Sequence, residues 1–151
     1  EAWSYFTSGE DFTEDALVLQ DWPSEAKSWQ DASLAEDFVE LFAFRDQVNE
    51  KLETLRAAGE IGRSLDAFVT LSGDPQADAF ARLERYQHIL EELLIVSKVE
   101  LAASPGSELS IAAIKASGGR CPRCWRWEPK LNHGTDNERT CSRCDQALNK
   151  A

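Results

Sequence analysis

Residues 121–144 read CPRCWRWEPKLNHGTDNERTCSRC, and the four cysteines in this stretch set the architecture of the C-terminal end. Cys121 and Cys124 are separated by two residues, as are Cys141 and Cys144, and sixteen residues lie between the pairs. A two-residue spacing lets both thiols of a tight knuckle turn toward one point. Two knuckles complete a tetrahedron, the geometry Zn²⁺ adopts with thiolates at about 2.3 Å. All four positions are filled by protein, which leaves no place for a reactive water and makes one structural Zn²⁺ the expected cofactor. A four-thiolate iron site at the same spacing is the main remaining alternative. A pair of disulfides requires an oxidising compartment, of which the sequence carries no sign. A redox C-x-x-C normally comes alone, on a thioredoxin-like unit. His133 falls inside the stretch, but the ligand set is full without it, and it reads as a loop residue.

Arginines and tryptophans crowd the knuckles. Arg123 lies inside the first and Trp125 follows it directly, with Arg120, Arg126, Trp127, Lys130, Arg139 and Arg143 nearby. Two readings stand for Trp125: part of the small core of a zinc ribbon, or a platform on which a nucleic-acid base stacks. For Trp127 the core is favoured. Arg side chains pair base edges or phosphates, so Arg120, Arg123, Arg126 and Arg143 join Trp125 as candidate nucleic-acid contacts.

Outward from the cysteines the charge changes sign. Residues 1–119 hold 9 Lys and Arg against 23 Asp and Glu, a net charge of -14, whereas residues 120–151 hold 7 against 4, or +3. Four thiolates on one divalent ion bring a charge of about -2, so the tail is only slightly positive when loaded. Recognition of nucleic acid then rests on particular Arg and Trp side chains. Upstream, Gly118-Gly119 reads as a hinge, Leu109 to Ala116 as a strand, and Ser104 to Ser107 as a turn. Leu94 to Leu101, rich in β-branched residues, reads as another strand. Asp74-Pro75 opens a helix with Ala79, Leu83, Tyr86 and Leu90 on one face, and Phe68 to Leu71 is a strand. Leu34, Phe38, Leu41, Val48, Leu52 and Leu55 form one apolar stripe on a helix over 34–58 that stops at Gly59. Arg45 interrupts that stripe and is expected to pair with an acid.

Together these give an α+β fold: a long helix with a small mixed sheet and packed helices, followed by a four-cysteine zinc ribbon. The expected divisions are an extended tethering segment at 1–33, rich in acids and aromatics, a helix plus α+β part at 34–118, and the zinc ribbon at 119–151. There is no apolar run of membrane-spanning length and no signal-peptide pattern, so a cytoplasmic protein with no membrane partner is expected. The absence of Met from 151 residues points to a piece of a longer chain.

A resemblance joins these parts. Arg45 to Arg56 reads R-D-x-V-N-x-x-L-E-x-x-R and Gly62 to Val69 reads G-x-S-L-x-A-x-V. L-L-I-V-S-K-V ends at Val99, C-P-R-C-W runs from Cys121 to Trp125, and C-x-R-C closes at Cys144. In this order and spacing they resemble the C-terminal region of class I isoleucyl-tRNA synthetases, just beyond the helical anticodon-binding bundle. The resemblance runs from about residue 14 to 148. It implies a parent enzyme that activates isoleucine with ATP and transfers it to tRNA(Ile), and a C-terminal zinc domain that engages the anticodon end. The signatures H-I-G-H and K-M-S-K-S do not occur here, so catalysis, ATP binding and editing are expected in domains outside this sequence, and this piece binds without catalysing. Its partners would be tRNA(Ile) and the remainder of the parent synthetase, with no DNA. Valyl- and leucyl-tRNA synthetases share the bundle but do not end in this ribbon. Competing classes are the zinc finger of formamidopyrimidine-DNA glycosylases, which start with a Pro nucleophile that Glu1-Ala2-Trp3 lacks, and a zinc-stabilised protein-interaction module.

Overall fold

The computed structural model describes residues 21, 22, 24–133 and 139–149. Most of the expected tether therefore lies outside the described residues. The chain divides into two compact units, 1–34 and 35–151. In the first, Lys27–Trp29 form a single 3-10 turn, and Asp31 Oδ1 accepts the Leu34 backbone N–H at 2.9 Å. That bond satisfies an amide that has no partner in the first helical turn.

The long helix, α1, spans Ala32–Ala57. It ends where expected, at Gly59, whose φ of +71° costs a glycine little. Gly59 N donates to Arg56 O and Glu60 N to Leu55 O, the paired bonds that close a helix through a left-handed residue. Its buried apolar face is Leu41, Phe44, Val48 and Leu52. Phe44, not Arg45, supplies the step between Leu41 and Val48, so the stripe runs past Arg45 without interruption. Arg45 is half-buried and has no ion pair among the described residues, contrary to expectation. The buried charge on α1 is Asp37 instead. It accepts bonds from Arg82 Nε at 2.9 Å, Arg85 Nη1 at 2.8 Å and the Tyr86 hydroxyl at 2.9 Å.

Three strands form one mixed sheet, β1 (Ala67–Gly73), β2 (Lys98–Ala103) and β3 (Ser110–Lys115), in the order β2-β1-β3. β1 pairs parallel with β2, Val69 opposite Val99, and antiparallel with β3, Val69 opposite Ala113. A parallel pair needs a crossover. It is made by α2 (Asp78–Arg85) and α3 (Gln87–Leu93), which replace the single expected helix. The break falls at Tyr86, whose backbone leaves the helical region (φ -101°, ψ 14°) while its hydroxyl holds Asp37. Along β1, Ala67, Val69, Leu71 and Gly73 are buried while alternate residues are half-exposed, the period of a sheet covered on one face. Leu41, Val48 and Leu52 from α1, Leu83 and Leu90 from the crossover, and Leu94 and Val96 close the core over that face.

The strand expected from Leu94 begins only at Lys98. Leu94 and Val96 are fully buried, but between them Ile95 turns at φ +55°. The β-branched run reported burial, and burial there is met by a turn. Among the described residues no helix is long and apolar enough to cross a membrane.

Candidate metal centre

The cysteine module is built from two short hairpins and a terminal helix. β4 (Gly119–Arg120) pairs antiparallel with β5 (Trp127–Glu128), Arg120 opposite Trp127, and the first knuckle is the loop between them. Cys121 N donates to Arg126 O and Trp125 N to Cys121 O, both at 2.9 Å, which folds the loop back on itself. β6 (Asn132–His133) pairs with β7 (Arg139–Thr140), and β7 leads into the second knuckle. The backbone of His133 is thus in a strand, not the expected loop. Cys141 precedes α4 (Ser142–Leu148), and Cys144 lies in its first turn.

Gly118 is not a free hinge. Its φ is +105°, and a Cβ built there would fall 2.1 Å from the carbonyl oxygen of Glu128. The chain enters the module through a close backbone contact that only glycine permits.

Cys121, Cys141 and Cys144 are buried, Cys124 is half-buried, and none is in a disulfide. Their four sulfurs all lie within 4.8 Å of one another, and Cys124 Sγ is 3.6 Å from Cys141 Sγ. A tetrahedral ion with bonds of about 2.3 Å would set sulfurs about 3.8 Å apart. Disulfide-bonded sulfurs sit near 2.05 Å, so this spacing is that of a ligand cage. The four cysteines are positioned to bind one metal ion.

The electrostatics agree. Burial pushes the Cys121 thiol up, but the backbone N–H groups of Cys124, Cys141 and Arg123 outweigh it and bring the thiol down to about 6. The bond from Cys141 N measures 3.4 Å. Cys141 goes the other way. Burial raises it, the backbone N–H of Cys144 opposes this, and the sulfurs of Cys144, Cys124 and Cys121 raise it further, to about 12. Cys124 is also raised, with burial again the main cause. One sulfur is thus ready to ionise at neutral pH, and further thiolates crowded beside it are disfavoured. A divalent cation at the centre reverses that penalty and deprotonates coordinating thiols.

The module is fastened to the sheet by polar contacts, most of them partly buried. Trp127 N donates to Ser97 Oγ at 2.7 Å and Trp127 Nε1 to Asp66 Oδ1 at 2.9 Å. Asp66 Oδ2 also accepts the N–H groups of Gly62 and Arg63. These bonds hold its carboxyl below its ordinary value even though burial is the largest influence and opposes them. Arg126, 12% exposed at its side chain, lies 2.6 Å from Glu91. Arg143 reaches Glu92 at 3.2 Å.

The candidate contact residues therefore fall in different settings. Arg126 is committed to Glu91, and Arg143 is exposed but paired. Arg120 and Arg123 are exposed and in no ion pair among the described residues. Trp127 is half-buried with both its nitrogens bonded. Trp125 is 51% exposed and adopts φ +65°. A left-handed backbone at a bulky residue costs about 1–2 kcal/mol, and glycine would avoid it. Asp66, Glu91 and Ser97 were not evident from sequence. Each is a polar residue whose partner lies thirty or more positions away, and no local pattern marks such a pair.

No protein-family model matches the chain. Individual proteins do. The isoleucine–tRNA ligase of Thermotoga petrophila is 41% identical over 128 residues, covering 82% of this chain and 14% of that protein. That of Fervidobacterium nodosum is 34% identical over 155 residues, 95% of this chain and 17% of that protein. The Geobacter sulfurreducens ligase is 32% identical over 157 residues, 98% of this chain and 16% of that protein. The chain is homologous to isoleucine–tRNA ligases. It spans about one-sixth of the length of the relatives it matches, so the likeness to isoleucine–tRNA ligases concerns one portion of those proteins.

Proposed function

We propose that this chain is the zinc-stabilised, tRNA-binding C-terminal part of a cytoplasmic isoleucine–tRNA ligase. In this reading residues 119–151 form the ribbon that engages the anticodon end of tRNA(Ile), and residues 34–118 support it. ATP-dependent isoleucylation takes place in parts of the ligase outside this chain. The ion is zinc, because four cysteine sulfurs in one closed tetrahedral cage match its structural sites and leave no open position for catalysis.

The observation that carries the proposal is Trp125. A tryptophan serving as ribbon core would be buried in a relaxed backbone. This one is half-exposed, in a conformation suited to glycine, on a loop bearing two of the four cysteines. Strain held in place by surrounding structure is typical of functional positions. A fixed platform also lowers the entropy lost on binding. Trp125 stacks on an unpaired base of the anticodon loop, with Arg123 and Arg120 beside it to pair base edges or phosphates. Arg143 and Arg126 lie closer to the sheet unit, where Arg126 fastens the ribbon.

The test is Trp125→Ala in the complete ligase. Loss of a stacking aromatic weakens binding by about 1–3 kcal/mol per base. We expect a KM for tRNA(Ile) raised roughly tenfold or more, one zinc per molecule retained, and isoleucine activation by ATP unchanged. Full zinc with normal charging would remove Trp125 from the interface.

A further inference from the structure

Arg63 lies outside the cysteine module, in the loop that leads from α1 to β1, and no motif singled it out. Its Cζ sits 5.7 Å from the centre of the Trp125 ring, and Arg120 Cζ sits 5.6 Å from the same ring. Two guanidiniums are gathered on one indole. Both arginines are exposed, and neither is in an ion pair among the described residues. Asp66, on the same loop, feels the Arg63 charge but spends its oxygens on Gly62 N, Arg63 N and Trp127 Nε1. Like charges brought together repel, and each cation–π contact at an exposed site returns only about 0.5–1 kcal/mol. An anion within reach of both cations offsets that repulsion.

We infer that Arg63, Trp125 and Arg120 form a composite clamp for one phosphate of an RNA backbone. Trp125 holds the two guanidinium planes in place, and their free N–H edges take the phosphate oxygens. Arg guanidiniums suit this role because their planar fork matches phosphate geometry. The clamp has contributions from both parts of the molecule: Arg63 from the sheet side, Arg120 and Trp125 from the ribbon. Its geometry is held by Asp66, which fixes the Arg63 backbone through one carboxylate oxygen and Trp127 through the other. The inference rests on the reading that the Trp125 surface faces tRNA, and adds to it a phosphate contact on the other side of the junction.

The experiment measures binding of the zinc-loaded full chain to a tRNA(Ile) transcript over a series of salt concentrations. Arg63→Gln keeps the backbone bonds to Asp66 and removes the charge. We expect severalfold weaker binding and a slope of log affinity against log salt shallower by about 0.7–0.9, the signature of one lost phosphate contact. Zinc content and melting temperature should not change. In a Trp125→Ala background the effect of Arg63→Gln should shrink, since the prop is already gone. Binding by Arg63→Gln equal to the unaltered chain at every salt would overturn the clamp and leave the tRNA reading standing. Loss of zinc or a lowered melting temperature in Arg63→Gln would overturn it too, by making Arg63 structural. Failure of the unaltered chain to bind the transcript would overturn both.

Discussion

The sheet unit and the cysteine module are both small, yet they are held together by opposite means. Over the sheet, leucines and valines from α1, β1, β2 and the crossover close one continuous apolar core. In the module the buried cluster is Cys121, Cys141 and Cys144, joined by half-buried Cys124 and Leu131. The first excludes water from hydrocarbon, and its stability is spread over many side chains. The second has little apolar surface for that route, and its four cysteines are positioned to bind a metal ion, which would concentrate its stability at one point. The module uses its few large side chains differently as a result. Trp127 is turned to the sheet as a fastener, and Trp125 is left to the solvent.

The largest effect expected from this contrast follows metal removal. Binding to a four-thiolate zinc site is worth roughly 10–16 kcal/mol in small zinc peptides. Chelation should strip hydrogen-exchange protection from amides in 121–148 and leave the β1–β2 amides protected. Loss of both together in one step would show that the two parts stand or fall as one. The complementary experiment is Leu52→Ala, fully buried in the sheet core. It should lower unfolding stability by about 2–5 kcal/mol, with zinc stoichiometry unchanged in the molecules that remain folded.

A smaller effect concerns Asp37. The bond from Arg82, then that from Tyr86, holds its carboxyl below the ordinary value, against the pull of burial and with further help from Arg85. A depressed folded pKa means the unfolded chain takes up the proton first as pH falls. The stability Asp37 contributes is complete above about pH 4 and is lost as pH drops from there through the folded pKa. Asp37→Asn should therefore reduce stability at neutral pH and flatten its decline below about pH 4, as read by denaturant melts across pH. An unaltered acid profile would assign the acid sensitivity elsewhere.

The smallest effect is the most telling about Trp125. Trp125→Gly relieves about 1–2 kcal/mol of left-handed strain. It gives back two arginine contacts and adds the extra freedom of glycine in the unfolded chain, about 0.5–1 kcal/mol for each of the three. The net loss of module stability should not exceed about 2 kcal/mol. A core tryptophan would cost about 3–5 kcal/mol on truncation, so a melt of the zinc-loaded variant separates the two roles.

What could be read from the sequence follows the range of each interaction. The gathering of the four cysteines was legible because knuckle geometry is written in a two-residue spacing. The end of α1 was legible because Gly59 is a local signal. The stripe on α1 was right in its middle; it skipped Phe44, charged the gap to Arg45, and began at Leu34, which is exposed. The split of the crossover at Tyr86 and the turn at Ile95 were not legible. In both places apolar side chains satisfy the core from a backbone other than the expected one, and the apolar pattern is the same either way. Least legible were the fasteners Asp66, Ser97 and Glu91, since the partners of a buried polar side chain depend on tertiary contact. Within G-x-S-L-x-A-x-V, Asp66 occupies a position the motif leaves open, yet it carries the junction.

The placement of those fasteners bears on the order in which the molecule assembles. Asp66, Glu91 and Ser97 all precede Cys121 in the chain. A ribosome adds roughly 5–20 residues per second, and regions made earlier fold first. The seat for Trp127 and Arg126 is therefore synthesised before the first thiol appears, and the two knuckles emerge beside a surface already shaped to receive them. Cys121 and Cys124 then wait about one to four seconds for Cys141 and Cys144.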